Sequence, residues 1–211
     1  MILIPPADMS NPDMKLAATF ERLAEMFAPD PVPDVFRVYA NVPSFLHDFY
    51  MNFKKFVWTD GSLDVRSKST IALAVALALK SQFWTDFFSK RCLSIGSLEQ
   101  NLPDVAAIVS SCQMYNVFFK FRDIAGSDLF TGMGVGLRAH TFSNTSIDSK
   151  MVEFINIVIS DINGCKPCTA GHVDKIRSLG VADEAILEAV QCAATMAAGC
   201  SFLNMSYLEK T

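Results

Sequence analysis

The chain has 211 residues, of which 51% are hydrophobic and 19% are charged, and its formal net charge is -4 at neutral pH. This composition excludes a disordered chain, and the acidic balance without a basic run argues against a nucleic-acid partner. The mean hydropathy of +0.27 is high for a soluble protein, so either the core is large for the size of the chain or partner subunits cover part of its apolar surface. We expect an oligomer.

Membrane insertion and export are not predicted. The longest aliphatic run, residues 71–79, has about half the length that a membrane-spanning helix needs, and Lys80 follows it. The first residues lack a basic segment followed by a sustained apolar one, so we expect no membrane partner and a cytoplasmic protein. Thiols are kept reduced in the cytoplasm, so the six cysteines do not predict a disulfide scaffold.

Apolar residues recur at helical spacing along nearly the whole chain, and no stretch alternates as a half-buried strand would. The sequence therefore predicts an all-α fold. The predicted helices cover residues 14–26, 43–57, 64–80, 82–93, 102–119, 149–162, 165–179 and 183–198. Gly180 is expected to end the seventh helix in a left-handed conformation, and Asp183 to cap the next one. Gly, Ser and Thr in residues 126–136 predict a flexible connection.

When the sequence is aligned with itself at an offset of 84 positions, several residues match. Asp64 then pairs with Asp148 and Gly96 with Gly180, and chemically similar residues pair between them. These matches keep the order of the predicted helices, which favours an internal duplication of a helical unit of about 85 residues.

This duplication divides the chain into three parts. Residues 1–30 form a proline-containing N-terminal arm and helix, residues 31–120 the first repeat, and residues 121–211 the second repeat. The first repeat lacks the Cys-x-x-Cys motif of the second, so the second is predicted to carry the chemistry.

Two helices are expected to meet around the Cys-x-x-Cys motif. Asn163 and Gly164 are typical of a helix end, and Pro167 cannot lie in a helix interior because it has no N–H to donate. The second helix is therefore predicted to begin at Gly164 or Cys165, which places Cys165 and Cys168 at its N-terminus. The partial positive charge there stabilises a thiolate.

Helical spacing adds a base and a carboxylate to this site. His172 lies one turn beyond Cys168 on the same face and is placed to accept its proton. Glu153 belongs to a helix that is apolar on nearly all sides, and it is the candidate carboxylate to orient His172. Each residue also has a structural interpretation, as packing or as a satisfied polar group. A metal site is disfavoured because Cys165, Cys168 and His172 supply only three ligands.

The remaining cysteines and histidines do not form a similar pattern. We interpret Cys92, Cys112, Cys192 and Cys200 as packing residues, and His47 and His140 as structural or exposed. The sequence has no phosphate-binding loop after a predicted strand, so we expect neither a cofactor nor a metal.

The spacing of these residues resembles that of a known family. Glu153, Cys165, Cys168 and His172, with Ile-Asn-Gly-Cys before the motif, are similar to the alkyl hydroperoxidase D (AhpD-like) branch of the carboxymuconolactone decarboxylase superfamily. The resemblance is strong over residues 147–198, fainter over the first repeat and absent from the first thirty residues.

The resemblance implies an AhpD-like all-α fold of two related helical repeats in an intertwined homo-oligomer, commonly a trimer. It also implies an antioxidant thiol peroxidase or dithiol–disulfide reductase that acts on a peroxide or small disulfide and is reduced by an external dithiol or redox protein. Glu153 and His172 would relay the proton that activates Cys168, and Cys165 would resolve the sulfenic acid as a disulfide. Pro167 stands where some members carry a second relay His, which implies a shorter relay.

Two other functional classes remain open. One is an enzyme of the same superfamily that decarboxylates or otherwise processes a small lactone or acid, because the shared fold does not require the thiols. The other is a non-catalytic metal-binding or interaction protein.

Overall fold

A computed structural model describes residues 4–97 and 99–206, and in them it confirms the predicted all-α class. The α-helices are α1 (Met14–Phe27), α2 (Val35–Tyr39), α3 (Pro43–Phe53), α4 (Val65–Ala78), α5 (Gln82–Ser94), α6 (Asn101–Ile124), α7 (Ser149–Ile162), α8 (Lys166–Ser178) and α9 (Asp183–Leu203). The predicted first and last parts of the chain also include residues 1–3 and 207–211, which lie outside the described residues.

Three predicted helices end elsewhere than expected, by four or more residues. The helix predicted over residues 43–57 changes at Lys54 into a π-helix that ends at Trp58. The Trp58 indole N–H donates to the carbonyl of Met26 at 3.1 Å, a contact with α1 that local sequence patterns do not encode. Helix α6 continues to Ile124 rather than ending at Phe119. Helix α9 likewise continues to Leu203 rather than ending at residue 198.

Helix α4 lies at the centre of the fold, where it packs against α5, α6, α7 and α9. Its six consecutive residues 71–76 are all buried, so α4 is surrounded by other elements on every side. Helix α7 is buried in the same way over residues 152–160. These two helices therefore carry the core between the two halves of the chain.

Aromatic rings fill the space between α1, α2, α3 and α5. Phe36, Phe53 and Trp84 are each 0% exposed, and the ring centroids of Phe53 and Trp84 lie 5.6 Å apart. The Trp84 indole N–H donates to the Tyr39 hydroxyl at 3.0 Å, so this cluster also satisfies its polar atoms.

Helices that are 84 positions apart have the same length. Helices α4 and α7 each have 14 residues, and each is capped by an aspartate carboxylate, from Asp64 and Asp148. Helices α5 and α8 each have 13 residues. Gly96 and Gly180 follow them with φ of 93° and 77°, the left-handed conformation expected for Gly180. The internal repeat itself stays a prediction, which these features support.

The predicted cap at Asp183 is wrong by one residue. Ala182 is the capping residue of α9, and Asp183 is the first residue of the helix. The Asp183 carboxylate instead accepts from the Arg177 guanidinium at 2.7 Å, which links the end of α8 to the start of α9.

The described part of the N-terminal arm packs on its own chain. Ile4 forms an isolated parallel bridge with Ser206. The Ala7 N–H donates to the Arg37 carbonyl at 2.9 Å. These contacts join the arm to α2 and to the segment after α9.

Helix α9 is long and apolar enough to cross a membrane by length and composition. Half of the residues in its most apolar window are buried inside the protein, and core helices of water-soluble proteins pass the same test.

Candidate active site

The junction between α7 and α8 brings the two site cysteines to a helix start. Gly164 takes a φ of 65°, which a residue with a side chain rarely adopts. The Cys165 N–H donates to the Ser160 carbonyl at 2.9 Å. Cys165 is the capping residue of α8, and Pro167 is the second residue of that helix. The helix thus begins at Lys166, one residue beyond the predicted start.

Cys165 and Cys168 lie next to each other in the first turn of α8. Their sulfurs are joined as a disulfide, with 5.4 Å between the Cα atoms. Cys165 is 1% exposed and Cys168 9% exposed. Cys168 is therefore the more accessible of the two cysteines.

Glu153 projects from the buried face of α7 and contacts two side chains of α8. Its Oε2 lies 2.6 Å from His172 Nδ1, and its Oε1 lies 2.6 Å from Lys175 Nζ. The Glu153 side chain is 2% exposed, whereas the side chains of His172 and Lys175 are 25% and 61% exposed. Glu153 is thus the inner end of a chain of polar groups that reaches the surface.

The electrostatics of this group favour an ionised carboxylate. Burial raises the pKa of Glu153, but the hydrogen bonds and charges of His172 and Lys175 outweigh burial, and the net effect lowers the pKa below its usual value. An ionised Glu153 can only accept hydrogen bonds, so a neutral His172 ring donates from Nδ1 and keeps its lone pair on Nε2. Nε2 is then the nitrogen that can take up a proton.

A buried polar cluster lies behind the junction, between α6 and α7. The Asn116 side chain donates to the Ser160 hydroxyl at 2.9 Å and accepts from the Asn163 amide at 2.9 Å. The Lys120 ammonium donates to the Asn163 carbonyl at 3.0 Å. Because the carbonyl of Ser160 accepts from Cys165, this cluster fixes the backbone that presents the first cysteine.

Sequence reasoning identified Glu153 and His172 but missed Lys175 and the buried polar cluster. Lys175 lies three residues beyond His172, so helical spacing alone was a signal that it faces the same way. For the cluster, the signal was the polar residues of α7, at positions 153, 156 and 160, on one face of an otherwise apolar helix.

The other cysteines are buried, and the other histidines are exposed. Cys92, Cys112, Cys192 and Cys200 are all at most 2% exposed. Burial raises the pKa of Cys112 to about 11 and that of Cys192 to about 12. Within residues 4–97 and 99–206, no three His, Cys, Asp or Glu side chains are grouped so that they could hold a metal ion.

Comparisons with known proteins agree on one superfamily. Residues 130–206, which include Glu153, Cys165, Cys168 and His172, match the carboxymuconolactone decarboxylase family. Alkyl hydroperoxide reductase AhpD of Corynebacterium kroppenstedtii is 35% identical over 83 residues, which are 39% of this chain and 47% of that protein. The chain thus spans about half the length of this relative.

Two further relatives align over longer segments. Alkyl hydroperoxide reductase AhpD of Anaeromyxobacter sp. is 27% identical over 155 residues, 74% of this chain and 83% of that protein. The protein of the same name from Bradyrhizobium diazoefficiens is 26% identical over 164 residues, 75% of this chain and 86% of that protein.

Proposed function

Because the chain is an AhpD-like member of the carboxymuconolactone decarboxylase superfamily, we propose that it is an antioxidant oxidoreductase that reduces alkyl hydroperoxides through Cys165 and Cys168. The observation that carries the proposal is the 2.6 Å contact between Glu153 and His172, one helical turn from the Cys165–Cys168 pair on α8. The dithiol and the oriented base supply a nucleophile, a group that accepts its proton and a resolving thiol for thiol-based peroxide reduction.

In the proposed mechanism, His172 Nε2 takes the Cys168 proton while Nδ1 stays bonded to Glu153. The Cys168 thiolate attacks the outer oxygen of the hydroperoxide, the O–O bond breaks, and Cys168 becomes a sulfenic acid. The leaving alkoxide takes the proton from His172 Nε2 and departs as the alcohol. The Cys165 thiol then attacks the sulfenic acid, which releases water and forms the disulfide. An external dithiol reduces this disulfide by exchange and is itself oxidised to a disulfide.

Cys165 suits the role of the resolving cysteine, and Cys168 suits the role of the cysteine that attacks the peroxide. Cys168 is the more exposed of the two, 9% against 1% for Cys165, and a helix N-terminus favours its thiolate. Pro167 occupies the position of a second relay His in some family members. We therefore propose that proton transfer here runs through His172 and Glu153 alone.

The proposed partners are a peroxide or small disulfide, an external dithiol or redox protein, and further copies of the chain. An exposed apolar stripe on α6 supports self-association. It consists of Met114 (40% exposed), Val117 (68%), Phe121 (47%) and Ile124 (72%). These residues are spaced by three, four and three positions, as on one face of a helix that packs against another. We propose a homotrimer in the cytoplasm.

The test measures peroxide consumption with dithiothreitol as the electron donor. Cys168→Ser is expected to abolish turnover. Cys165→Ser is expected to accumulate a Cys168 sulfenic acid that dimedone traps and mass spectrometry locates. Cys192→Ser, which changes a fully buried thiol, is the matched control and should retain turnover. Full activity of Cys168→Ser would refute the proposal.

A second candidate is favoured by the family match over residues 130–206, whose name refers to a lactone decarboxylase. This reaction needs an acid or base but no thiol. Activity on a small lactone or acid that survives Cys165→Ser/Cys168→Ser and is lost in His172→Gln would identify this second function.

A further inference from the structure

A cavity of about 480 Å³ lies apart from the dithiol, between the N-terminal halves of α4, α6 and α7 and the end of α5. This volume is within the range of small-molecule sites, which is roughly 300–1,000 Å³. The cavity lining does not include Glu153, Cys165, Cys168 or His172. The cavity is therefore separate from the dithiol site.

The floor of the cavity is apolar. Leu73 is 1% exposed, Val105 1% and Phe154 4%, and all three line the cavity. Cys92, 2% exposed, lies beside them. Burial raises the pKa of the Cys92 thiol, so this group is uncharged at neutral pH. The floor thus suits a hydrocarbon or aryl body.

The rim carries two cations, one from each of the two central helices. Arg66 is the second residue of α4, and Lys150 is the second residue of α7. Both side chains line the cavity. The two positions are 84 apart, and the two helices present charges of the same sign to the same space.

Among residues 4–97 and 99–206, neither Arg66 nor Lys150 forms an ion pair with a carboxylate. Arg66 Nη2 donates to the Gly96 carbonyl at 2.7 Å, which anchors the guanidinium at the rim. The carboxylate of Asp148, also at the rim, accepts from the backbone N–H groups of Lys150 and Met151 as the cap of α7.

We propose that this cavity binds a small amphipathic monocarboxylate, such as a medium-chain fatty acid. The carboxylate lies between Arg66 and Lys150, where charge-assisted hydrogen bonds hold it. The apolar body lies over Leu73, Val105 and Phe154, and removal of this body from water supplies the remaining affinity.

Isothermal titration of the full chain with decanoate, below the concentration at which decanoate forms micelles, tests the proposal. We expect saturable binding of one decanoate per chain. Decanol, which has the same chain length without the charge, should bind at least about tenfold more weakly. Absence of saturable decanoate binding, or equal binding of decanol, would overturn the proposal.

Charge variants separate a binding role from a structural one. Arg66→Ala/Lys150→Ala should weaken decanoate binding at least about tenfold, whereas Arg66→Lys/Lys150→Arg should stay within about threefold of wild type. Arg22→Ala/Lys54→Ala, which removes two exposed cations elsewhere, is the matched control. Circular dichroism checks that each variant is folded. Wild-type affinity in the alanine variant, or an equal loss in the control, contradicts the assignment.

Discussion

The ion pair between Lys68 and Glu188 is buried, and its removal is expected to cost much of the stability of the protein. Lys68 Nζ lies 2.9 Å from Glu188 Oε1, with side-chain exposures of 0% and 12%. The ammonium also donates to the Thr59 carbonyl at 2.6 Å. Glu188 Oε2 accepts from the Leu63 N–H at 2.7 Å. The pair therefore joins α4, α9 and the loop before α4.

Glu188→Gln removes the negative charge with little change in shape and leaves the Lys68 ammonium buried without a carboxylate. Loss of one partner of a buried pair costs about 3–5 kcal/mol. Because Glu188 keeps some exposure, we expect a loss of about 3 kcal/mol in the free energy of unfolding. The matched control is Asp183→Asn. Its pair with Arg177 has a similar distance of 2.7 Å but side-chain exposures of 66% and 52%, and solvent screens such a pair.

Urea unfolding at neutral pH, followed by circular dichroism, measures both variants. Asp183→Asn should be indistinguishable from wild type. The double variant Lys68→Met/Glu188→Gln should recover part of the stability that Glu188→Gln loses, because no unpaired charge stays buried. The reasoning is refuted if Glu188→Gln unfolds at the same urea concentration as Asp183→Asn, or if the double variant is less stable than Glu188→Gln.

Three further outcomes are expected. The pKa values of Glu153 and Glu188 are lowered from the ordinary 4.5, so the stability they contribute is present above about pH 4.5 and is lost as pH falls through their folded-state values. Melting temperatures between pH 7 and pH 3 should show this loss, with a shallower slope for Glu188→Gln. In the reduced protein, iodoacetamide should modify the dithiol but not Cys192, which is fully buried with a pKa of about 12, until urea is added. Modification of Cys192 without urea would contradict its burial. Gly199→Ala should cost about 1–3 kcal/mol in urea unfolding, because the added Cβ would lie 2.7 Å from a ring carbon of Phe49; unchanged stability would show that this ring moves away at no cost.

The junction that carries the dithiol could be predicted because two residues decide it locally. Gly164 supplies a left-handed turn, and Pro167 is tolerated only at a helix start. Helix α7 has the predicted bounds, residues 149–162. Cys165 caps α8 rather than beginning it, a difference of the size expected for helix ends.

Features that depend on contacts between distant segments could not be predicted. Trp58, the last residue of the π-helix, packs on α1, and the Arg91 guanidinium lies 3.4 Å from the centroid of its ring. Asn116 belongs to a helix whose own pattern gives no reason for a buried amide. Its partners are Ser160 on α7 and Asn163 directly after α7, 44 and 47 positions further along the chain.

The proposed repeat relates the Glu153 site to a helix–helix contact in the first half of the chain. In the first half, the Arg91 guanidinium donates to the Ser69 hydroxyl at 3.2 Å. In the second half, 84 positions later, Lys175 contacts Glu153 at 2.6 Å. In each half, a cationic side chain of the second helix thus contacts a polar group of the first helix. This group is a hydroxyl in the first half and a carboxylate in the second. His172 has no such counterpart, because the corresponding position holds the buried Phe88. The Lys175–Glu153 contact thus has a counterpart in the first half, whereas the Glu153–His172 contact and the two cysteines have none.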